Sequence, residues 1–305
     1  MKKTAAIAII VLAMLAPGAN AQTFPAARQK TAAQSGEKSA DTVTITADYA
    51  LSGIGFSIKD FDSGSILTWR DIILNGAQIN VEFNKAPFVF NKTNIGAGFH
   101  KSFHGYHTDD DATNGYNVIH VASTEAFLLD LKYEILLEEN RFNPKLGMDF
   151  NYLRLENYNA VPYFLSPSNI SQNMTGLANK SDVFKYCLYG GMQAKIVEKN
   201  FFYMNVSGQT GLGLYFILAD WVLRSDFKHP VSFYNISLCF RTGGDLEMGF
   251  NLGMFTIFTK ALLVYEIGPV GFNKFFFSDS KKNTIQFASL DFFRPAFNIG
   301  LKVNF

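Results

Sequence analysis

The stretch "FNIGLKVNF", Phe297 to Phe305, decides the fold class. Phe297, Ile299, Leu301, Val303 and Phe305 fall on one face, and Asn298, Gly300, Lys302 and Asn304 on the other. This period of two belongs to an extended strand with one apolar and one polar side. The same texture recurs upstream, in Thr42–Ile58, Ser65–Phe83, Phe88–Phe103, Ser123–Leu137, Lys145–Tyr158, Val183–Val197, Phe201–Leu218, Val231–Arg241, Leu246–Phe258, Ala261–Phe277 and Ile285–Phe305. Segments of this length suit strands that cross a bilayer obliquely and project beyond it. A soluble β-sandwich would alternate too. The aromatic load, 31 Phe and 13 Tyr, exceeds what a soluble core of this size needs, whereas aromatic girdles at two membrane interfaces would use it. The stretch nearest to a membrane helix, Phe201–Ala219, carries Asn, Ser, Gln, Thr and three glycines, which suit a strand with a polar inner face better. The expectation is therefore all-β: a closed antiparallel transmembrane β-barrel of about ten strands over residues 42–305. Single-chain barrels favour even numbers, so one segment should be a loop or half of a split strand.

The opening residues agree with an exported chain. "MKKTAAIAIIVLAMLAPGANA" has basic Lys2 and Lys3, an apolar run from Ala5 to Leu15, the helix breaker Pro17, and small Ala19 and Ala21 where a signal peptidase reads. Residues 1–21 are expected to be a signal peptide cleaved after Ala21. The apolar run is short for a retained membrane anchor. No cysteine follows the cleavage point, which speaks against a lipoprotein anchor. Residues 22–41 are polar and small, with too little apolar surface to offset their ordering entropy, and read as a disordered tail. The 27 Lys and Arg become 25 once Lys2 and Lys3 are removed, against 26 Asp and Glu, a balance that argues against nucleic acid as a partner. Cys187 and Cys239 sit inside apolar strands, as small buried or lipid-facing thiols or as a disulfide, which spacing does not decide.

Chemistry concentrates in "HGYHTDDDATNG", residues 104–115, where Asp109, Asp110 and Asp111 lie close to His100, His104 and His107. On an extended chain Asp109 and Asp111 project the same way and Asp110 the other. The plain readings are a solvated acidic loop or a weak divalent-ion site. A transition-metal site fits poorly: on a continuous strand His100 and His104 share a face and His107 opposes them. No metal is expected.

The segments "SILTWRDIILNGAQINVEFN" and "NIGAGFHKSFHGYHTDDD" resemble the second and third strands and following loop of the omptins, outer-membrane endopeptidases built on a ten-stranded barrel. In that family a rim loop carries Gly, three other residues, then Asp-x-Asp; Gly105, Asp109 and Asp111 stand at that spacing. Further echoes lie in "TEAFLLDLKYEILLEENRFNPKLG", "DWVLRSDFKHP" and the closing "FNIGLKVNF". The resemblance implies an outer-membrane protease in which an Asp–His pair faces an Asp–Asp pair across a groove, with the attacking water between them. By position His229 matches the catalytic histidine. The family's Asp-x-His is here Asp226-Phe227-Lys228-His229, one residue longer, with a basic Lys228 inside it. Asp226 is therefore either the orienting acid or the family's upstream substrate-binding acid.

The resemblance further implies a preference for basic residues at the cleavage point, with Asp60 in "SIKDFDSG" matching a substrate-binding acid. It also implies activation by lipopolysaccharide, bound in the omptins by polar groups that include Tyr-x-Glu-x-Arg on one strand. Tyr152, Arg154 and Glu156 have that spacing with the charges exchanged, and face either the lipid or the lumen. No cofactor beyond that lipid is expected. The expected partners are outer-membrane lipid and a peptide or protein substrate, and the expected state is a monomer. The competing expectation is a non-catalytic barrel, an adhesin or a small porin-like protein; the long uncharged insert Asn159–Lys180 would serve either. A ten-stranded barrel is filled largely by its own side chains, which leaves little room for a channel.

Overall fold

Eleven strands follow one another along the chain in the computed structural model: β1 (Val43–Asp60), β2 (Ile66–Phe83), β3 (Lys92–Ser102), β4 (Tyr106–Asp111), β5 (Val118–Leu136), β6 (Phe142–Phe164), β7 (Met174–Lys199), β8 (Phe202–Asp220), β9 (Phe233–Leu252), β10 (Phe255–Phe275) and β11 (Thr284–Asn304). The structure describes residues 42–305 apart from 85–89, 103, 112–117, 139–140, 165–173, 223–224 and 281–282, so the expected signal peptide and polar tail lie outside the described residues. Every pairing is antiparallel. β1 bonds to β2 on one side and β11 on the other, which closes the sheet. β3 and β4 both lie between β2 and β5 and form one interrupted stave, leaving ten staves.

The interruption has a local cause. Ser102 Oγ accepts the His104 N–H at 3.1 Å and donates to the His104 carbonyl at 2.6 Å, curling the chain after β3. Opposite this curl β2 carries Asp71 at φ 56°. The curl reverses the expected parity of the histidines: His100 and His107 both face inward, buried, and His104 faces outward. The three therefore do not share a face.

Two expected breaks are absent. The sequence divides at Thr259–Lys260, where β10 runs through and the turn falls instead at Gly253–Met254, inside the expected Leu246–Phe258; it also divides at Thr242–Asp245, yet β9 runs straight through. Gly243 and Gly244 are needed there because a Cβ would come within 2.8 Å of the Leu263 carbonyl and 2.7 Å of the Ser207 carbonyl on the flanking strands. The residues read as a strand break instead let three strands approach closely. Likewise β6 and β7 extend into both ends of the Asn159–Lys180 insert, of which 165–173 lie outside the described residues.

Alternation along each strand makes two environments. Outward positions present Tyr49, Leu51, Ile79, Phe99, Leu131, Tyr186, Leu188, Leu212, Phe240, Phe297 and Ile299, all substantially exposed, as a lipid-facing surface requires. Outward aromatic rings touch from stave to stave, Phe99 to Phe127, Tyr152, Phe184, Phe216, Tyr234 and Phe272, with centroids 4.9–6.4 Å apart. Farther from the chain ends the outward positions turn charged: Lys101, Glu125, Arg154, Asp182, Lys274 and Asp291. This is the border an aromatic girdle marks between hydrocarbon and headgroups.

The interior is layered along the barrel axis. Toward the rim away from the chain ends, Phe56, Trp69, Ile72, Leu128, Leu155, Tyr215, Ile217, Leu290 and Phe292 form an apolar plug. Below it lies a polar cavity of about 600 Å³, reaching Thr44 and Asn304 at the other rim. Its charges are paired: Lys185 Nζ to Glu266 at 3.0 Å, Arg241 Nη1 to Asp149 at 2.5 Å, Arg294 Nη2 to Asp130 at 2.7 Å and Lys260 Nζ to Asp245 at 3.4 Å. Pairing is what makes charge tolerable at such depth. Both cysteines are free, buried and inward-facing, so neither reaches lipid and no disulfide joins them.

Candidate active site

Because the staves alternate in direction, the β1–β2, β4–β5, β6–β7, β8–β9 and β10–β11 connections gather at one rim, opposite the rim where β1 begins and β11 ends. Asp60, Asp109, Asp111, Asp226 and His229 therefore share a rim, although Asp109 and His229 are 120 residues apart. The β3–β4 stave is third in the ring and β8 and β9 are seventh and eighth of ten, so the two halves face each other across the barrel mouth.

The first half is built by β4, which is a strand rather than the expected loop. Asp109 pairs with Leu67 of β2 and Asp110 with Ile66. His107, two residues before Asp109, is buried and stacks on Trp69 with centroids 4.6 Å apart. Asp109 therefore shares the inner face with His107, immediately above the apolar plug, and Asp110 points outward. Asp111 continues the strand opposite Val118, with its side chain outside the described residues.

The second half is the β8–β9 connection. An aromatic clamp fixes it: Trp221 stacks on Phe233 at 4.9 Å and on Phe275 at 6.0 Å, and packs on Phe227 at 4.8 Å, which in turn stacks on Phe277. On this base His229 Nδ1 lies 2.6 Å from Oδ1 of Asp220, the last residue of β8. Asp220, which the sequence did not single out, is thus the carboxylate placed against the His229 ring. The backbone carbonyl of Asp226 anchors the loop, accepting from Ser278 N–H at 2.8 Å and Ser278 Oγ at 3.1 Å. Sequence reasoning missed Asp220 because it sought the acid beside the histidine. The available signal was an acid ending a strand whose loop returns to the same point, the first residue of "DWVLRSDFKHP".

Asp60 ends β1 and is buried. Its Oδ1 accepts the N–H groups of Asp62 and Ser63 at 3.0 and 2.8 Å, and its Oδ2 accepts Asn273 Nδ2 at 3.2 Å. Holding the β1–β2 turn and tying it to β10 accounts for its burial without a substrate. Tyr152, Arg154 and Glu156 alternate with buried Leu153 and Leu155 and so face outward, which settles the choice the sequence left open. Asp182 joins two of them, accepting Tyr152 Oη at 2.6 Å and Arg154 Nε at 2.9 Å. Glu156 accepts Tyr158 Oη at 2.8 Å. These groups sit at the polar border of the lipid-facing surface.

In chemical terms, a neutral imidazole whose Nδ1–H donates to a carboxylate presents the lone pair of Nε2 outward, as a general base requires. The His229 side chain is 40% exposed. No protein-family model matches the sequence, and no curated protein does. Among solved structures, the outer-membrane protease OmpT from Escherichia coli superposes with a TM-score of 0.60 at 10% identity, covering 87% of this chain and 97% of that one. The translocator domain of the autotransporter NalP from Neisseria meningitidis reaches 0.35 at 8% identity over 88% and 90%. The toluene transporter TodX of P. putida reaches 0.31 at 8% over 87% and 90%; scores this low bear on nothing further. At such identities the likeness speaks to fold: this chain is a closed antiparallel transmembrane β-barrel with the architecture seen in OmpT.

Proposed function

We propose that this protein is an omptin-like outer-membrane endopeptidase. The observation that carries the reading is the 2.6 Å contact between His229 Nδ1 and Asp220, at the same rim as inward-facing Asp109 and across the mouth from it. In the proposed reaction a water between the halves attacks the peptide carbonyl carbon while His229 Nε2 takes its proton. Asp220 stabilises the imidazolium that results, and the proton then passes to the departing amine. Asp111 follows Asp109 by two residues, the repeat of one strand face; two carboxylates held close together resist double ionisation, and in the proposed reaction the one that keeps its proton supports the developing oxyanion.

The acids at this rim make basic residues the natural flank of the cleaved bond. Asp226 and Asp60 are the candidates for holding them, although Asp60 already serves its own turn. Lipopolysaccharide is the expected activator through Tyr152, Arg154 and Glu156, whose outward placement agrees with contact to a headgroup. The apolar plug above the cavity stands against the porin-like alternative.

The test is to incubate refolded protein in detergent micelles with a fluorogenic peptide bearing a dibasic pair, with and without lipopolysaccharide. Cleavage abolished by His229→Ala supports the reading. Equal inertness of wild type and His229→Ala under every lipid condition overturns it in favour of an adhesive or structural barrel.

A further inference from the structure

Ser232, immediately before β9, is completely buried and stands behind the His229–Asp220 pair. Its Oγ accepts the Trp221 N–H at 2.9 Å. Its one hydroxyl proton has two acceptors in reach, Asp220 Oδ1 at 3.3 Å and the Lys228 carbonyl at 3.1 Å. The backbone of Ser232 is equally tied: its N–H donates to the Ala219 carbonyl at 2.8 Å and its carbonyl accepts Phe276 N–H at 2.8 Å. Lys228 N–H in turn donates to the Phe276 carbonyl at 2.9 Å.

One hydroxyl thus touches the carboxylate that holds His229 and also the peptide group that precedes it. The connection leaves β8 at Asp220 and returns to it at the Lys228–His229 peptide, so the pair is closed by two separate points of the chain. A carboxylate and an imidazole on such a connection stay at 2.6 Å only if both ends are fixed relative to each other. Apolar stacking of Trp221 fixes the base of the loop, but it is non-directional about the carboxylate's torsion. The hydrogen bonds of Ser232 supply that direction.

We propose that Ser232 is the positioning residue of the His229–Asp220 pair: its hydroxyl, oriented by the Trp221 N–H, locks the carboxylate and the Lys228–His229 peptide in register. The proposal rests on the reading of His229 and Asp220 as base and orienter. Ser232 is completely buried and acts through Asp220 and the Lys228–His229 peptide.

The experiment uses the full chain refolded in detergent, with folding verified by electrophoretic mobility before and after heating. Ser232→Ala, Ser232→Thr, Asp220→Asn and the double variant Ser232→Ala/Asp220→Asn are assayed on the dibasic peptide. The His229 Nδ1–H resonance is followed in protein labelled with ¹⁵N-histidine. Ser232→Ala is expected to lower kcat about tenfold with KM nearly unchanged, and to cost little more in the Asp220→Asn background, because groups acting through one another are not additive. Ser232→Thr keeps the hydroxyl and should restore both turnover and the protected Nδ1–H signal, which Ser232→Ala loses to exchange. If Ser232→Ala does not fold, Ser232→Cys, nearly as small and a weaker donor, should show the same losses in milder form. Wild-type turnover with an unchanged Nδ1–H signal in the alanine variant overturns the proposal, as does a loss that multiplies in full with that of Asp220→Asn. If no form of the protein cleaves peptides, the protease reading fails and the resonance alone decides Ser232: its loss in Ala and retention in Thr support the lock, and an unchanged signal refutes it.

Discussion

Asp220→Asn is the most informative single substitution in this protein. The carboxylate accepts from His229 Nδ1 at 2.6 Å, a charge-assisted geometry that fixes the proton on Nδ1 and leaves Nε2 free. An asparagine of the same shape can turn its amide nitrogen toward Nδ1 and donate. The imidazole proton then moves to Nε2, and the base that should meet the water becomes an acid. The imidazolium formed during attack also loses its counter-charge. A positioned base contributes roughly 10²- to 10⁴-fold, so turnover should fall by that factor, about 2.7–5.4 kcal/mol of barrier. Stability should barely change, since Asp220 ends a strand at the rim and the aromatic stacking of Trp221 with Phe233 and Phe275 remains. The assay is steady-state cleavage of the dibasic fluorogenic peptide across pH, beside a urea unfolding curve. If Asp220→Asn cleaves like wild type while His229→Ala is inert, the orienting role is refuted. If instead Asp226→Asn alone abolishes cleavage, the acid lies where the sequence pattern first pointed.

Asp109→Asn should be nearly as damaging as His229→Ala, whereas Asp110→Asn, on the outward face of β4, should cost less than threefold; equal losses in the same peptide assay would mean that β4 does not present its inner face to substrate. Glu266→Gln removes the carboxylate that Lys185 meets at 3.0 Å in the fully buried part of the lumen, and should destabilise the barrel by about 3–5 kcal/mol in urea titrations; a change near zero would mean that water already solvates that pair. Wild-type protein in planar bilayers should pass almost no current, because Phe56, Trp69, Tyr215 and Phe292 fill the lumen with ring centroids 5.1–6.4 Å apart, while Tyr215→Ala with Phe292→Ala should open a measurable conductance; steady wild-type current would refute the plug.

The amino-acid sequence by itself determined the architecture. Alternation has a period of two, and a barrel wall offers two solvents, lipid and lumen, so "FNIGLKVNF" already separates Phe297, Ile299 and Leu301, which face out, from Asn298, which is buried inside. The opposition of inward-facing Asp109 to outward-facing Asp110 follows from the same parity. What parity cannot carry is any place where the chain leaves the regular pleat. The curl at Ser102–His104 reversed the faces of His104 and His107, and Gly243–Gly244 looked like a break when it is a close approach of three strands. Only the tertiary structure could supply the partner of His229. Asp220 and His229 are nine residues apart with an aromatic clamp between them, and their contact depends on where Trp221 stacks and how Ser232 ties the loop. Those are properties of three-dimensional closure, set by packing between β8, β9 and β10, and local spacing in a sequence does not encode which carboxylate such a loop will bring back to its histidine.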